Sequence, residues 1–189
     1  MRIHCLLLLL CSLGVSLAAK PNVVFFFIDD MGWTDLGFMG SKYYESPHID
    51  KLAQEGMVFM NAYAAAPNCA PSRACLMSGQ YSPRHGVYTV ANSDRGSSKD
   101  RKLIPTKNTI HLAKEFVTMG EALQAGGYVT ATMGKWHLGD DPTTQGFDVN
   151  VAGKTWGSPS GGGYHSPYKY PNLEQKEKGE YLTDRLGEE

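Results

Sequence analysis

Cysteine is scarce in this chain, and its scarcity excludes a scaffold held together by disulfides. Four cysteines occur among 189 residues, at positions 5, 11, 69 and 75. The first two fall in an amino-terminal stretch, residues 1–19, that reads as a secretory signal peptide. Arg2 and His4 open it, an apolar core runs to Leu17, and Ala18 and Ala19 give a small-residue exit. Only Cys69 and Cys75 would remain after cleavage, so cysteine is kept for chemistry or packing. Long apolar runs are lacking as well. The leader's core is too short to span a bilayer, so the sequence predicts no stable membrane insertion, with an uncleaved anchor as the rival reading, and the signal peptide predicts a secreted, periplasmic or lysosomal protein. An excess of one charge sign is also missing, with 18 basic residues against 19 acidic. No basic stripe argues for a nucleic-acid partner. With 42% hydrophobic and 20% charged residues, the composition is that of a globular protein. Its length predicts one domain.

What is present is organised around residues 67–79, which read Pro-Asn-Cys-Ala-Pro-Ser-Arg-Ala-Cys-Leu-Met-Ser-Gly. Pro71 suits the first turn of a helix, where its missing N–H is unpaired anyway, and Gly79 suits that helix's end. Cys69 then sits at the positive end of the helix, where anions gather. Arg73, one turn later, can reach back toward it. The expectation is an oxyanion site containing a reactive side chain.

Residues 23–28 form an unbroken apolar run, Val-Val-Phe-Phe-Phe-Ile, that stops at Asp29 and Asp30. Continuous hydrophobicity predicts a strand buried on both faces, as in a parallel sheet covered by helices. Ligands bind beyond the carboxyl ends of such strands. Two adjacent carboxylates there either hold a cation or make a turn or helix cap, and the residues alone leave both readings open.

Ser46 and Pro47 predict a helix start, with Ile49, Leu52 and Ala53 as its inward stripe and Gly56 as its end. Residues 57–63 read as a second strand leading into the loop before Cys69, at the same sheet edge as Asp29 and Asp30. His48 reads as solvent-facing, and Arg84 and His85 as part of a turn. Residues 92–107 read as a solvated loop. Thr118 and Glu121 form a capping box, and Gly126 and Gly127 stop the helix that follows. Residues 128–133 read as a third strand, delivering Gly134-Lys135-Trp136-His137 to its end. Residues 152–163, rich in Gly and Ser, read as a flexible connector. A helix is expected to begin near Tyr181.

Cys-x-Pro-Ser-Arg with its Leu-Met-Ser-Gly continuation, Ile-Asp-Asp-Met-Gly-Trp at residues 28–33, and Gly-Tyr-x-Thr-x-x-x-Gly-Lys-Trp-His at residues 127–137 resemble the signature blocks of the type I sulfatases. The chain is most similar to the arylsulfatase A and N-acetylgalactosamine-6-sulfatase group and its bacterial relatives. The resemblance runs from Pro21 to the last residue. It implies an α/β, alkaline-phosphatase-like fold, a mostly parallel sheet flanked by helices. Residues 20–189 would form the amino-terminal part of the catalytic domain, so that the fold is incomplete in this chain.

The same resemblance implies that a formylglycine-generating enzyme oxidises Cys69 to formylglycine, whose hydrate attacks the sulfur of a sulfated small molecule or glycan. Asp29 and Asp30 would bind Ca2+, with Cys69 supplying a further oxygen once modified. Arg73 would steady the ionised nucleophile, Lys135 would pair with sulfate oxygens, and His137 would handle a proton near its ordinary pKa. The family's remaining calcium ligands, its leaving-group acid and its second sulfate-binding lysine have no match here. Calcium takes six to eight oxygens, and two carboxylates supply at most four. Three alternatives stay open: a phosphonate or phosphate monoesterase of the same superfamily, a catalytically silent secreted binding module, and a thiol enzyme pairing unmodified Cys69 with His137.

Overall fold

A computed structural model describes residues 20–189, so the expected signal peptide at residues 1–19 lies outside the described residues. The helix of the cysteine signature is α2, Cys69–Ser78, after α1, Pro47–Glu55. Cys69 is its first residue and Pro71 its third, a position with no intrahelical donor to lose. Gly79 closes it at φ 63°, a left-handed turn that glycine adopts without a Cβ clash. The helix turns Ala70, Ala74 and Met77 into the main core, alongside Val87, Leu112, Trp136, Leu138 and Phe147. Trp136 is 1% exposed and meets the Phe147 ring edge-on at 5.6 Å between centroids. A short helix, α3, Ser82–His85, follows. It buries His85, whose Nε2 lies 3.4 Å from Cys75 Sγ, so both residues serve packing.

Helix α4, Met119–Ala125, begins with the expected capping box. Thr118 Oγ1 accepts from the Glu121 N–H, and the Glu121 carboxylate accepts from the Thr118 N–H. Gly126 closes it. The chain then enters β1, Ala131–Met133, which pairs in parallel with β2, Val149–Val151, in the register Ala131–Val149 and Met133–Val151. Asp148 pins that register by accepting from both the N–H and the hydroxyl of Thr130. A parallel pair needs a long crossover. Here it contains a short 3-10 turn, Pro142–Gln145, instead of a helix. A second apolar cluster, Val151, Ala152, Leu173 and Leu182, joins β2 to α5, Leu182–Gly187. No helix among the described residues is long and apolar enough to cross a membrane.

Two expected strands are not formed. Residues 23–28 form no regular secondary structure and pair with no other described segment, and they are 36–81% exposed. Residues 57–63 likewise form no strand, and a turn bond from Ala62 N–H to the Phe59 carbonyl interrupts them. Hydrophobicity supplies a face to bury, but a strand also needs a neighbour's ladder of donors and acceptors. The described residues provide none for either segment. Helix α1 carries no buried residue either, and Leu52 of its predicted inward stripe is 64% exposed. Ser46 does not cap α1 through its side chain. Its hydroxyl accepts from Gly37 N–H and donates to Asp50.

Residues 152–163, expected as a flexible connector, pack against the fold in part, while Ser158, Ser160 and Gly161 are exposed. Ala152, Gly153 and Gly162 are buried. At Gly162 a Cβ would lie 2.3 Å from the Tyr170 ring, so glycine is there because an aromatic ring presses on the backbone.

Candidate active site

The loop leaving β1 carries Gly134, Lys135, Trp136 and His137, and the loop leaving β2 runs beside it. Gly134 N–H donates to the Val151 carbonyl, and His137 N–H donates to the Lys154 carbonyl at 2.9 Å. Trp136 points into the core, which sends its neighbours Lys135 and His137 outward, both half-buried. His137 has φ 64°, a sparsely populated conformation for a residue with a Cβ. Asp30, at the other side of the site, has φ 55°. Non-glycine residues held there are common where a site imposes its own geometry.

The centre of the cluster is Asp29. Its carboxylate forms an ion pair with the Lys135 ammonium and a second with the Arg73 guanidinium at 3.3 Å. Arg73 also donates to the Lys135 carbonyl at 2.6 Å, and its guanidinium lies 4.8 Å from the centre of the Phe27 ring. Arg73 is 6% exposed, a buried cation with a partner on three sides. Burial opposes ionisation of Asp29. The hydrogen bond and charge of Lys135, with those of Arg73, outweigh it and hold the carboxyl below its usual range. Burial pulls Arg73 down from its ordinary value, with Asp29 and, more weakly, Cys69 opposing. His137 is also pulled down, first by burial and then by the Lys135 and Arg73 charges, against Asp29. Its Nδ1 is buried without a partner.

Asp29, Arg73 and Lys135 therefore come together directly. Cys69 is a half-buried free thiol one helical turn before Arg73. His137 stands two residues past Lys135, and Asp30 is exposed. Among the described residues no group of three or more His, Cys, Asp or Glu is placed to hold a metal ion. Asp29 and Asp30 offer the hard oxygen donors that calcium prefers, but the count falls short of its shell. The charge of Asp29 is already balanced by two cations.

Lys154, Trp156 and Gly157, inside the expected connector, line the site as well. At Gly157 a Cβ would lie 2.4 Å from His137 Cε1. A tryptophan and a lysine inside a Gly/Ser-rich stretch were the available signal, since flexible linkers seldom carry a large ring. Phe27, expected in the core of a strand, covers Arg73 instead.

The family model Sulfatase matches residues 21–189. This chain belongs to the sulfatase family. A sulfatase of Formosa agariphila is 43% identical over 146 residues, covering 70% of this chain and 26% of that protein. Mouse N-acetylgalactosamine-6-sulfatase is 39% identical over 151 residues (76% and 28%), and rat arylsulfatase G 40% identical over 140 residues (71% and 24%). The chain thus spans about a quarter of the length of the curated relatives it matches. The crystal structure of Ps i-CgsB superposes with a TM-score of 0.59 at 30% identity, over 85% of this chain and 38% of that one. Ps i-CgsB has also been solved with k-i-k-neocarrahexaose. The fold is therefore part of a sulfatase domain, with a small parallel sheet flanked by helices.

Proposed function

We propose that this chain carries the nucleophile side of a sulfate-monoester hydrolase, and that residues 20–189 are the amino-terminal part of its catalytic domain. The observation that carries the reading is the meeting of Arg73, Lys135 and Asp29 beyond the end of β1, in a helix and loop that also hold Cys69 and His137. Sulfate is a compact anion. Two cations fixed by one carboxylate make a site for its oxygens that needs no rearrangement as charge develops. Arg73 is locked by the Lys135 carbonyl and by Asp29, so it orients the site. Lys135, half-buried, is the cation that reaches a bound sulfate. His137 stays neutral below the ordinary histidine range, which suits it to accept a proton.

The family generally works with calcium and formylglycine. Asp29 and Asp30 are the residues that would hold the calcium, together with oxygens from outside this chain. Calcium would supply positive charge at the reacting oxygens, and formylglycine, made from Cys69 by a formylglycine-generating enzyme, would supply the oxygen nucleophile. The helix start at Cys69 favours an anion there. The substrates proposed are sulfated small molecules or glycans, met in a secreted, periplasmic or lysosomal setting after removal of residues 1–19.

Peptide mass spectrometry of the full-length protein, produced with the modifying enzyme, is expected to show Cys69 as aldehyde. Matched 4-nitrophenyl sulfate and phenylphosphonate esters should then be compared. Faster turnover of the phosphonate would move the assignment to a phosphonate monoesterase. Finding only thiol at Cys69 would remove the nucleophile.

A further inference from the structure

Residues 92–106 take no part in the chemistry around Asp29, and they form a loop whose neck is closed by its own hydrogen bonds. Asn108 makes most of that closure. Its side-chain oxygen accepts from the N–H groups of Tyr88 and Thr89 at 2.7 and 3.1 Å, and its amide donates to the carbonyls of Thr89 and Ala91. The Ser93 hydroxyl donates to the Thr106 carbonyl, and the Arg95 guanidinium donates to the Val90 carbonyl at 2.6 Å. A surface loop with its two ends tied together is the form that functional Ω-loops take. Between those ties the chain from Arg95 to Asp100, with a 3-10 turn at Ser98–Asp100, is exposed, and so are Lys102, Leu103 and Ile104. Leu103 is 84% exposed and Ile104 95%, the latter the highest value for a large apolar side chain among the described residues. Arg101, between the turn and this pair, is engaged by Asp94 at 3.1 Å. Lys99, Lys102 and Lys107 are exposed and form no ion pair among the described residues, and the exposed carboxylate beside them is that of Asp100. An aliphatic tip thus stands among three uncommitted ammonium groups.

We propose that this loop docks the protein on an anionic lipid surface, with Leu103 and Ile104 entering the headgroup layer and Lys99, Lys102 and Lys107 drawn to acidic lipids. Interfacial anchors combine those two elements, aliphatic side chains at the acyl boundary and lysines among the phosphates. The lysine stems can follow the aliphatic pair inward while their ammonium groups stay wet. Each lysine near an acidic leaflet is worth roughly fivefold in affinity. The aliphatic tip is what favours a lipid surface over other partners. A sulfated glycan would take the lysines and leave Leu103 and Ile104 in water, with no apolar area buried. A protein interface seats aromatic residues and arginine at its centre and is depleted in lysine. No helix among the described residues is long and apolar enough to cross a membrane, and the contact proposed is peripheral and reversible. None of these five residues belongs to the charged cluster around Asp29, so docking and hydrolysis can fail separately.

The test is cosedimentation of the full-length protein with two kinds of vesicle, phosphatidylcholine alone and phosphatidylcholine with phosphatidylserine at about 7:3. Binding is expected to the acidic vesicles only, and it should weaken as added salt screens the lysines. Lys99→Gln, Lys102→Gln and Lys107→Gln together are expected to weaken it roughly 100-fold. Leu103→Ser with Ile104→Ser is expected to weaken it at least about tenfold, with the thermal midpoint unchanged because both side chains are exposed. Ile104→Trp, which keeps an apolar tip, should retain binding, and its emission relative to the unmutated protein should shift to the blue on acidic vesicles. Equal binding to neutral vesicles, no binding to either kind, or no blue shift would overturn the proposal. So would a serine variant that holds acidic vesicles as tightly as the unmutated protein, since the loop would then be a general polyanion site open to a sulfated glycan. Hydrolysis of 4-nitrophenyl sulfate is measured on the same proteins. Its absence alongside vesicle binding would sink the hydrolase reading and leave the docking loop standing, and hydrolysis without vesicle binding would do the reverse.

Discussion

Gly157 lies against the imidazole of His137, so close that a methyl group on its Cα would fall 2.4 Å from Cε1 and 2.7 Å from Nε2. The backbone of the loop after β2 is thus the stop that sets the ring's position. The bond from His137 N–H to the Lys154 carbonyl fixes the same two loops from the other end.

Gly157→Ala should displace that ring while leaving both apolar clusters intact. Misplacing a reacting group by about 1 Å can cost on the order of 100-fold in rate. The expected result is a large fall in kcat, measured with an aryl sulfate on the full-length protein, with little change in the unfolding midpoint. An equal fall in stability would show that Gly157 serves folding alone.

His137 and His85 both have pKa values lowered by burial, and the Lys135 and Arg73 charges lower His137 further. The folded state therefore binds fewer protons at these rings than the unfolded chain, whose histidines titrate near about 6.5. Stability from these groups is complete above that value. It is lost as the pH falls through it toward the lowered folded values. Unfolding free energy should rise with pH across that window, and NMR titration of His137 should move upward in Lys135→Gln. An unchanged His137 titration would refute the charge coupling.

Asp29→Asn removes the countercharge of a buried guanidinium. Arg73 keeps its bond to the Lys135 carbonyl and its position on Phe27, so the loss should be smaller than for an isolated buried ion. About 1–3 kcal/mol is expected at neutral pH. The carboxyl's lowered pKa means that its contribution is present above the ordinary carboxylate range and disappears as the pH drops through the lowered value. Denaturant unfolding of the two proteins should therefore converge in strong acid.

Thr118→Ala removes a helix cap and a second bond, since the Thr118 hydroxyl also donates to the Gln145 carbonyl at 2.7 Å. Cap loss alone costs roughly 0.5–2 kcal/mol. Thr118→Ser should recover most of the stability, as measured by thermal melting. A serine variant no better than alanine would show that packing of the methyl group dominates.

Local signals were legible where the physics is local. The Thr118–Glu121 box, the helix opened at Cys69 and closed at Gly79, and the stop at Gly126 each depend on residues within one or two turns. The third strand was legible in part, because its end at Met133 is set by the glycine that follows. Residues 23–28 and 57–63 do not form the strands that their hydrophobicity predicts, because a strand is a property of two segments and an apolar run reports only one. Asp29, Arg73 and Lys135 were picked out one by one from their motifs. Their mutual contacts span separations of 44 and 62 residues, which no local pattern encodes. Residues 152–163 misled because glycine reports either freedom or crowding, and only the rings at Trp156 and Tyr170 tell which.

The apolar flank at residues 23–28 is open among the described residues, which belong to a chain about a quarter as long as its curated relatives. Six consecutive residues without charge or proline, three of them phenylalanine, form the kind of segment that zips onto copies of itself. Lys20 and Asp29 bracket the run as charged gatekeepers, yet Asp29 is engaged by Arg73 and Lys135 and repels less than a free acid. A further strand laid along this flank would cover the six residues and remove that hazard.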